Sequence, residues 1–173
     1  MRLSLTRDGF ILISRMNNAH AELLRRIPGA ANPEDDDKAR RRLYPPPVAG
    51  NDEKAREIRE DWDHYIRPGL EEEFKSAIDD VADDLRNIAE RTKKMSTVRT
   101  LQIPAAHAEA WLSALNQARL VLGEKYGLPE SEDDFDPDDD PFSERSQAHM
   151  QSWFYAYIQE FLIECVMNPG LED

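Results

Sequence analysis

The chain of 173 residues carries 40% hydrophobic and 33% charged side chains, the balance of a globular protein rather than of a disordered or membrane chain. That length closes one hydrophobic core without metals or disulfides, so a single domain over 1–173 is expected. A formal charge of −13 argues against nucleic acid, whose phosphates most of this surface would repel, and makes basic proteins the better partners.

No apolar run approaches the roughly 20 residues of a membrane span. Met1 to Leu5 lacks the apolar stretch of a signal peptide, so a cytoplasmic location is expected. The one cysteine, Cys165 in "FLIECVM", reads as a buried apolar filler, because no histidine stands in a partner motif that would activate it.

In chain order, "RLSLTRDGFILIS" alternates Leu3 and Leu5, turns at Arg7-Asp8-Gly9 and continues from Phe10 to Ile13, which predicts a β-hairpin. Ser14 suits a helix N-cap, with Met16, Ala19, Leu23 and Ile27 on one face until Pro28-Gly29 stops the helix. A turn-prone acidic stretch and a short helical piece lead into "RRRLYPPP", whose prolines end any helix. Asn51 is the expected cap of a helix to about Arg67, with Ile58, Trp62 and Tyr65 or Ile66 buried and a break or kink at Pro68-Gly69.

Phe74, Ile78, Val81, Leu85, Ile88, Thr92 and Met95 recur at spacings of four and three, the seam of a long helix expected over Leu70 to Met95. Glu71, Glu72 and Glu73 in its first turn and Arg91, Lys93 and Lys94 in its last would oppose the helix dipole. "TVRTLQI" follows as a short strand able to join the hairpin. Pro104 then falls in the first turn of a helix running to Tyr126.

"LPESEDDFDPDDDP" reads as a solvated acidic loop. Asp140 and Pro141 read as N-cap and first residue of a last helix to Met167. Its wide apolar face, from Met150, Trp153, Phe154 and Tyr157 to Ile158, Phe161, Leu162, Cys165 and Val166, implies burial on more than one side until Pro169-Gly170. The fold class is therefore mainly α, a single-domain helical bundle with a small N-terminal β-hairpin and one added short strand.

In "WLSALNQARLVLGEKYGL", Trp111, Leu115, Ala118 and Leu122 make one stripe and Leu112, Asn116 and Arg119 the next, placing the polar pair at the shoulder of the core. Bracing within the chain explains both, with Arg119 partly buried in a charge-assisted hydrogen bond; a guanidinium free in an open pocket would point to a ligand instead. Arg40, Arg41 and Arg42 form the one dense basic cluster, fit either for pairing with the chain's own acids or for docking an acidic partner.

Asp79 to Asp84 resembles an aspartate-rich magnesium motif but reads as a solvated acidic face beside the packed seam. Glu57 and Glu60 with Asp80 and Asp83 loosely resemble the carboxylates of magnesium-dependent, all-helical nucleotide pyrophosphohydrolases, a reading that requires all four to face one cleft. Asp134, Asp136, Asp138 and Asp140 alternate as calcium-loop ligands do, but Asp139 and Arg145 stand where such a loop needs Gly and Glu. His20, His64, His107 and His149 lack zinc-ligand spacing. No cofactor is implied.

Together, "RRRLYPPP", "AWLSALNQARLVLG" and "SWFYAYIQEFLIE" resemble the mainly helical bacterial family catalogued as domain of unknown function two-thousand-seventeen. Trp111, Leu112, Leu115, Asn116, Arg119, Leu120, Leu122 and Gly123 carry the resemblance best. It implies a cytoplasmic helical protein and, because the gene in many relatives lies beside that of the Clp protease adaptor, a link to regulated proteolysis. A non-enzymatic interaction or regulatory protein, acting through its acidic surface and the Asp-rich loop on that adaptor or a client of it, is the expected function.

Overall fold

The computed structural model describes residues 1–34, 36–93, 96–129 and 140–167, the side chains at 92, 93, 96 and 165–167 excepted. Strand β1, Arg2–Leu5, turns through Arg7-Asp8-Gly9 into β2, Phe10–Met16. Gly9 takes the left-handed φ of +76° that closes this turn without a Cβ penalty. Ile11 and Ile13 point into the core. Arg15 then also adopts a positive φ, and the register against the neighbouring strand shifts between Ile13 and Met16. This bulge advances the alternation by one residue, so Met16 is buried and Arg15 faces solvent.

Because β2 continues to Met16, Asn17 rather than Ser14 caps α1, Asn18–Arg25. Its side chain accepts from the His20 backbone N–H, and His20 Nδ1 accepts in return from the Asn17 N–H. Pro28 and Gly29 do not end the helical path. They lie within α2, Ile27–Ala31, after a turn at Arg26, with the proline in the first turn where its missing N–H costs little. The expected short helix is α3, Asp37–Leu43, capped by Asp36.

A further departure begins at Asp52, which caps α4, Glu53–Asp61, in place of Asn51. The chain stays helical through a π-helical turn, Trp62–Ile66, into α5, Arg67–Leu85. The Arg67 N–H reaches back five residues to the Trp62 carbonyl, and this wider turn accommodates Pro68 without a break. Ile58, Tyr65 and Ile66, expected inside, are exposed, because Ala55 is the only buried residue of the highly charged α4.

Helix α5 ends at Leu85, ten residues before the expected Met95. Ile88 does pack against the core, but 89–93 form strand β3, Ala89–Lys93, antiparallel to β4, Ser96–Pro104. Extended pairing suits the β-branched Thr97, Val98 and Thr100, whose side chains lose rotamer freedom in a helix. Arg91 and Lys93 are thus strand residues and the last turn of α5 holds no basic side chain; Lys94 and Met95 lie outside the described residues. The sheet order is β1-β2-β4-β3, all antiparallel, with β4 pairing onto the hairpin as expected.

Pro104 closes β4 instead of opening a helix, and a 3-10 turn, Ala105–His107, leads into α6, Ala108–Tyr126. This is the central rod, packed by α2, α3 and α5 and by α7, Glu144–Met167. Trp111, Leu115, Ala118 and Leu122 are buried in one cluster with Ile11, Ile13, Leu101 and Ile103 of the sheet and Tyr155, Ile158 and Leu162 of α7. Gly127, at a φ of +59°, gives α6 its left-handed C-terminal stop.

Ser143, not Asp140, caps α7 by accepting from the Ser146 N–H, while Asp140 accepts from the Phe142 N–H in a turn that holds Pro141. Among the described residues, one side of α7 is buried. Phe154, Tyr155, Ile158 and Leu162 are buried in the main core, and Met150, Trp153 and Tyr157 are exposed, since among the described residues α6 is the one extensive neighbour of this helix. Tyr155 donates to the Leu23 carbonyl and accepts from Gln151, and burial pushes its hydroxyl well above the usual phenol range. The Cys165 and Val166 side chains, residues Asp134, Asp136, Asp138 and Asp139, and Pro169-Gly170 lie outside the described residues. Among the described residues, no helix is long and apolar enough to cross a membrane.

Candidate functional site

Helix α3 buries Ala39 and Leu43 against Val121 of α6. That contact leaves Lys38 and Arg42, one turn apart, on the side facing the C-terminal half of α6. Asn116, Arg119 and Gly123 of α6 come to the same place, and α7 adds Ser152. These residues surround an open cavity of about 590 Å³ between the three helices. Two separated sequence features, the Asn116 and Arg119 pair and the basic cluster, therefore meet here through Arg42. Arg40 is turned away and donates to the Glu34 carbonyl, and Arg41 is exposed.

Arg119 is half-buried and its Nη1 donates to Gln159 Oε1 at 2.9 Å. Gln159 is itself fixed through Nε2 to the Leu112 carbonyl. The hydrogen-bonded brace is present, but it is a neutral amide, not a carboxylate. Among the described residues Arg119 has no ion-pair partner, and its buried Nε has no hydrogen-bond partner. Arg119 thus links α6 to α7 through Gln159, with no opposite charge paired to it among the described residues.

Among the described residues, three cations line the cavity, Lys38, Arg42 and Arg119, with one carboxylate, Glu124. Arg42 Nε lies 4.0 Å from Glu124 Oε1, the outer limit of an ion pair. Among the described residues the side chains of Asn116 and Ser152 make no hydrogen bond, leaving an amide and a hydroxyl for an incoming group. Gly123 has no positive φ to require glycine, and a Cβ built there would meet nothing within 4 Å. Its lack of a side chain keeps that wall of the cavity open, at a cost of roughly 0.5–1 kcal/mol relative to Ala within a helix.

Trp111 belongs elsewhere. Its indole N–H donates to Asp84 Oδ2 at 2.9 Å, and His107 Nδ1 lies 3.0 Å from the same oxygen. Asp84 is 6% exposed, so the expected solvated face from Asp79 to Asp84 loses its last member to the core. The carboxylate clasps the end of α5 to the start of α6. Its partners stand 23 and 27 residues away, and no local spacing in the sequence announces them.

The four carboxylates of the magnesium reading do not meet. Glu57 and Glu60 are on α4, Asp80 and Asp83 on α5, along one helical path. At about 1.5 Å of rise per residue, Glu57 and Asp80 are on the order of 35 Å apart. Glu60 lies 3.8 Å from Arg56, and Asp83 pairs with Arg86 at 2.7 Å. Among the described residues no three metal-ligating side chains cluster. Lys38, Ser152 and Gln159 were invisible as site residues, since each is an ordinary polar residue on a helix until α3 and α7 dock on α6.

Fold and site together define a mainly helical protein with a small antiparallel sheet and a cation-lined cavity on its central helix. The chain belongs to the family described as a domain of unknown function, DUF2017, whose model matches residues 4–166. No curated protein and no solved structure shows a significant match.

Proposed function

We propose that this chain is a non-enzymatic interaction or regulatory protein of the cytoplasm that grips an anionic feature of a protein partner in the cavity between α3, α6 and α7. The observation that supports this reading is Arg119, oriented at the cavity by a neutral glutamine and, among the described residues, without an ion-pair partner. A partner that suits both fields carries an acidic or otherwise anionic group for the cavity and basic flanks for the surrounding surface. The Clp protease adaptor or one of its clients, brought forward by the family resemblance, is the first candidate.

The test is affinity capture of the tagged chain from its native cells, with the adaptor sought first. The Lys38→Glu/Arg42→Glu variant is expected to lose the partner that the wild type and an Arg41→Glu control retain. If the cavity variant captures the same proteins as the wild type, the reading is wrong.

A further inference from the structure

We infer that the outward face of α7 docks a basic, amphipathic helix of a partner protein; this contact goes beyond the cavity reading and does not rest on it. Helix α7 carries two seams. Gln151, Tyr155, Ile158 and Leu162, at spacings of four, three and four, are buried. Met150, Trp153, Tyr157, Glu160 and Glu164, at spacings of three, four, three and four, run along the roughly opposite side, and all five are exposed. That outer spacing is the one that receives the side chains of a second helix laid lengthwise. Its apolar members, Met150, Trp153 and Tyr157, are 55%, 52% and 44% exposed, a contiguous row rather than one scattered side chain. The Trp153 and Tyr157 rings stack with centroids 6.3 Å apart and planes 14° from parallel, so this platform is ordered before anything docks. Met, Trp and Tyr are also side chains in which interfaces are enriched.

Charge selects the occupant. Glu160 and Glu164 extend the seam past its apolar part, and among the described residues neither makes an ion pair or a hydrogen bond. The stretches that flank α7 in the chain outside the described residues, 130–139 and 168–173, hold carboxylates and no Lys, Arg or His, so they can add only negative charge. Either stretch laid on this face would set its own acids beside Glu160 and Glu164. A second copy would bring the same glutamates and a charge of −13 against −13. A helix with an apolar stripe that runs on into Lys or Arg meets both the aromatic and the acidic part of the seam.

The test is titration of a fluorescently labelled leucine–lysine amphipathic helix with the full chain, read by anisotropy. The comparison probes are a peptide of the same composition in scrambled order and a leucine–glutamate helix. The leucine–lysine helix is expected to bind saturably and about tenfold or more tighter than the scrambled peptide, and the leucine–glutamate helix not to bind. Trp153→Ala/Tyr157→Ala should weaken binding by about tenfold or more with an unchanged thermal melt. Glu160→Gln/Glu164→Gln should weaken it by about threefold or more. Tyr65→Ala, at an exposed aromatic on the π-helical turn, should change nothing. Equal binding of the scrambled peptide, or binding indifferent to the Trp153 and Tyr157 pair, overturns the inference. So does a wild-type dimer in sedimentation that Trp153→Ala dissociates, which assigns the face to a second copy, or a lowered melt for the double variant, which assigns it to covering within the chain. The cavity reading is judged separately, by whether the Lys38→Glu/Arg42→Glu variant still captures the wild-type partners.

Discussion

Replacing Trp111 with Phe isolates the clasp between α5 and α6. The indole is fully buried and its N–H points at a carboxylate 2.9 Å away. Phe retains most of the apolar volume, so the loss has two parts. A hydrogen bond to a charged acceptor is worth about 1.5–3 kcal/mol. The void left by the smaller ring adds about 1 kcal/mol at roughly 24 cal/mol per Å³. The expected destabilisation is therefore about 2.5–4 kcal/mol, read as a lower midpoint in urea unfolding with an unchanged slope. Asp84→Asn is nearly isosteric but neutral, so it removes the charge from the indole's acceptor while keeping an oxygen in place. A double-mutant cycle should return a coupling of about 1–3 kcal/mol. A cost below about 1 kcal/mol for Trp111→Phe, or the same cost in the Asp84→Asn background, would refute the clasp.

Three further outcomes follow from the described contacts. Tyr155→Phe removes the donor to the Leu23 carbonyl and leaves Gln151 without its acceptor, so chemical unfolding should show a loss of about 1–3 kcal/mol. Gly127→Ala forces a Cβ into a left-handed conformation and should cost about 1 kcal/mol by the same assay, with partner capture unchanged. Burial first, and the positive N-terminus second, hold the His20 imidazole below its ordinary value of 6.5. The folded state thus binds protons less readily than the unfolded state. The His20 contribution is intact above pH 6.5 and lost as pH falls from there through the lower folded value. Protonation also ends the acceptance from the Asn17 N–H, so His20→Gln should flatten the acid limb of a stability-versus-pH series.

The hairpin and α6 were legible because each rests on a local signal: alternation about a glycine turn in one, a recurring apolar stripe in the other. The seam from Phe74 to Met95 misled because Ile88 and Thr92 keep a helical spacing by coincidence, while the strand partner that captures 89–93 lies in β4. The π-helical turn was hidden since its only mark, Pro68, reads equally as a break. Asn116 and Arg119 stood out as polar residues beside a core stripe. Whether they brace or bind depended on Gln159, 40 residues on from Arg119, and on α3. The exposed side of α7 was misread because hydrophobicity alone does not say how many neighbours a helix has.

The central claim is that Arg119 is kept for what enters the cavity and not for the fold, so the decisive measurement pairs stability with binding in Arg119→Met. Methionine retains much of the aliphatic packing and removes the charge, and unfolding free energy should stay within about 1 kcal/mol of the wild type while partner capture is lost. A loss above about 2 kcal/mol with partner capture intact would show that the arginine serves the fold alone.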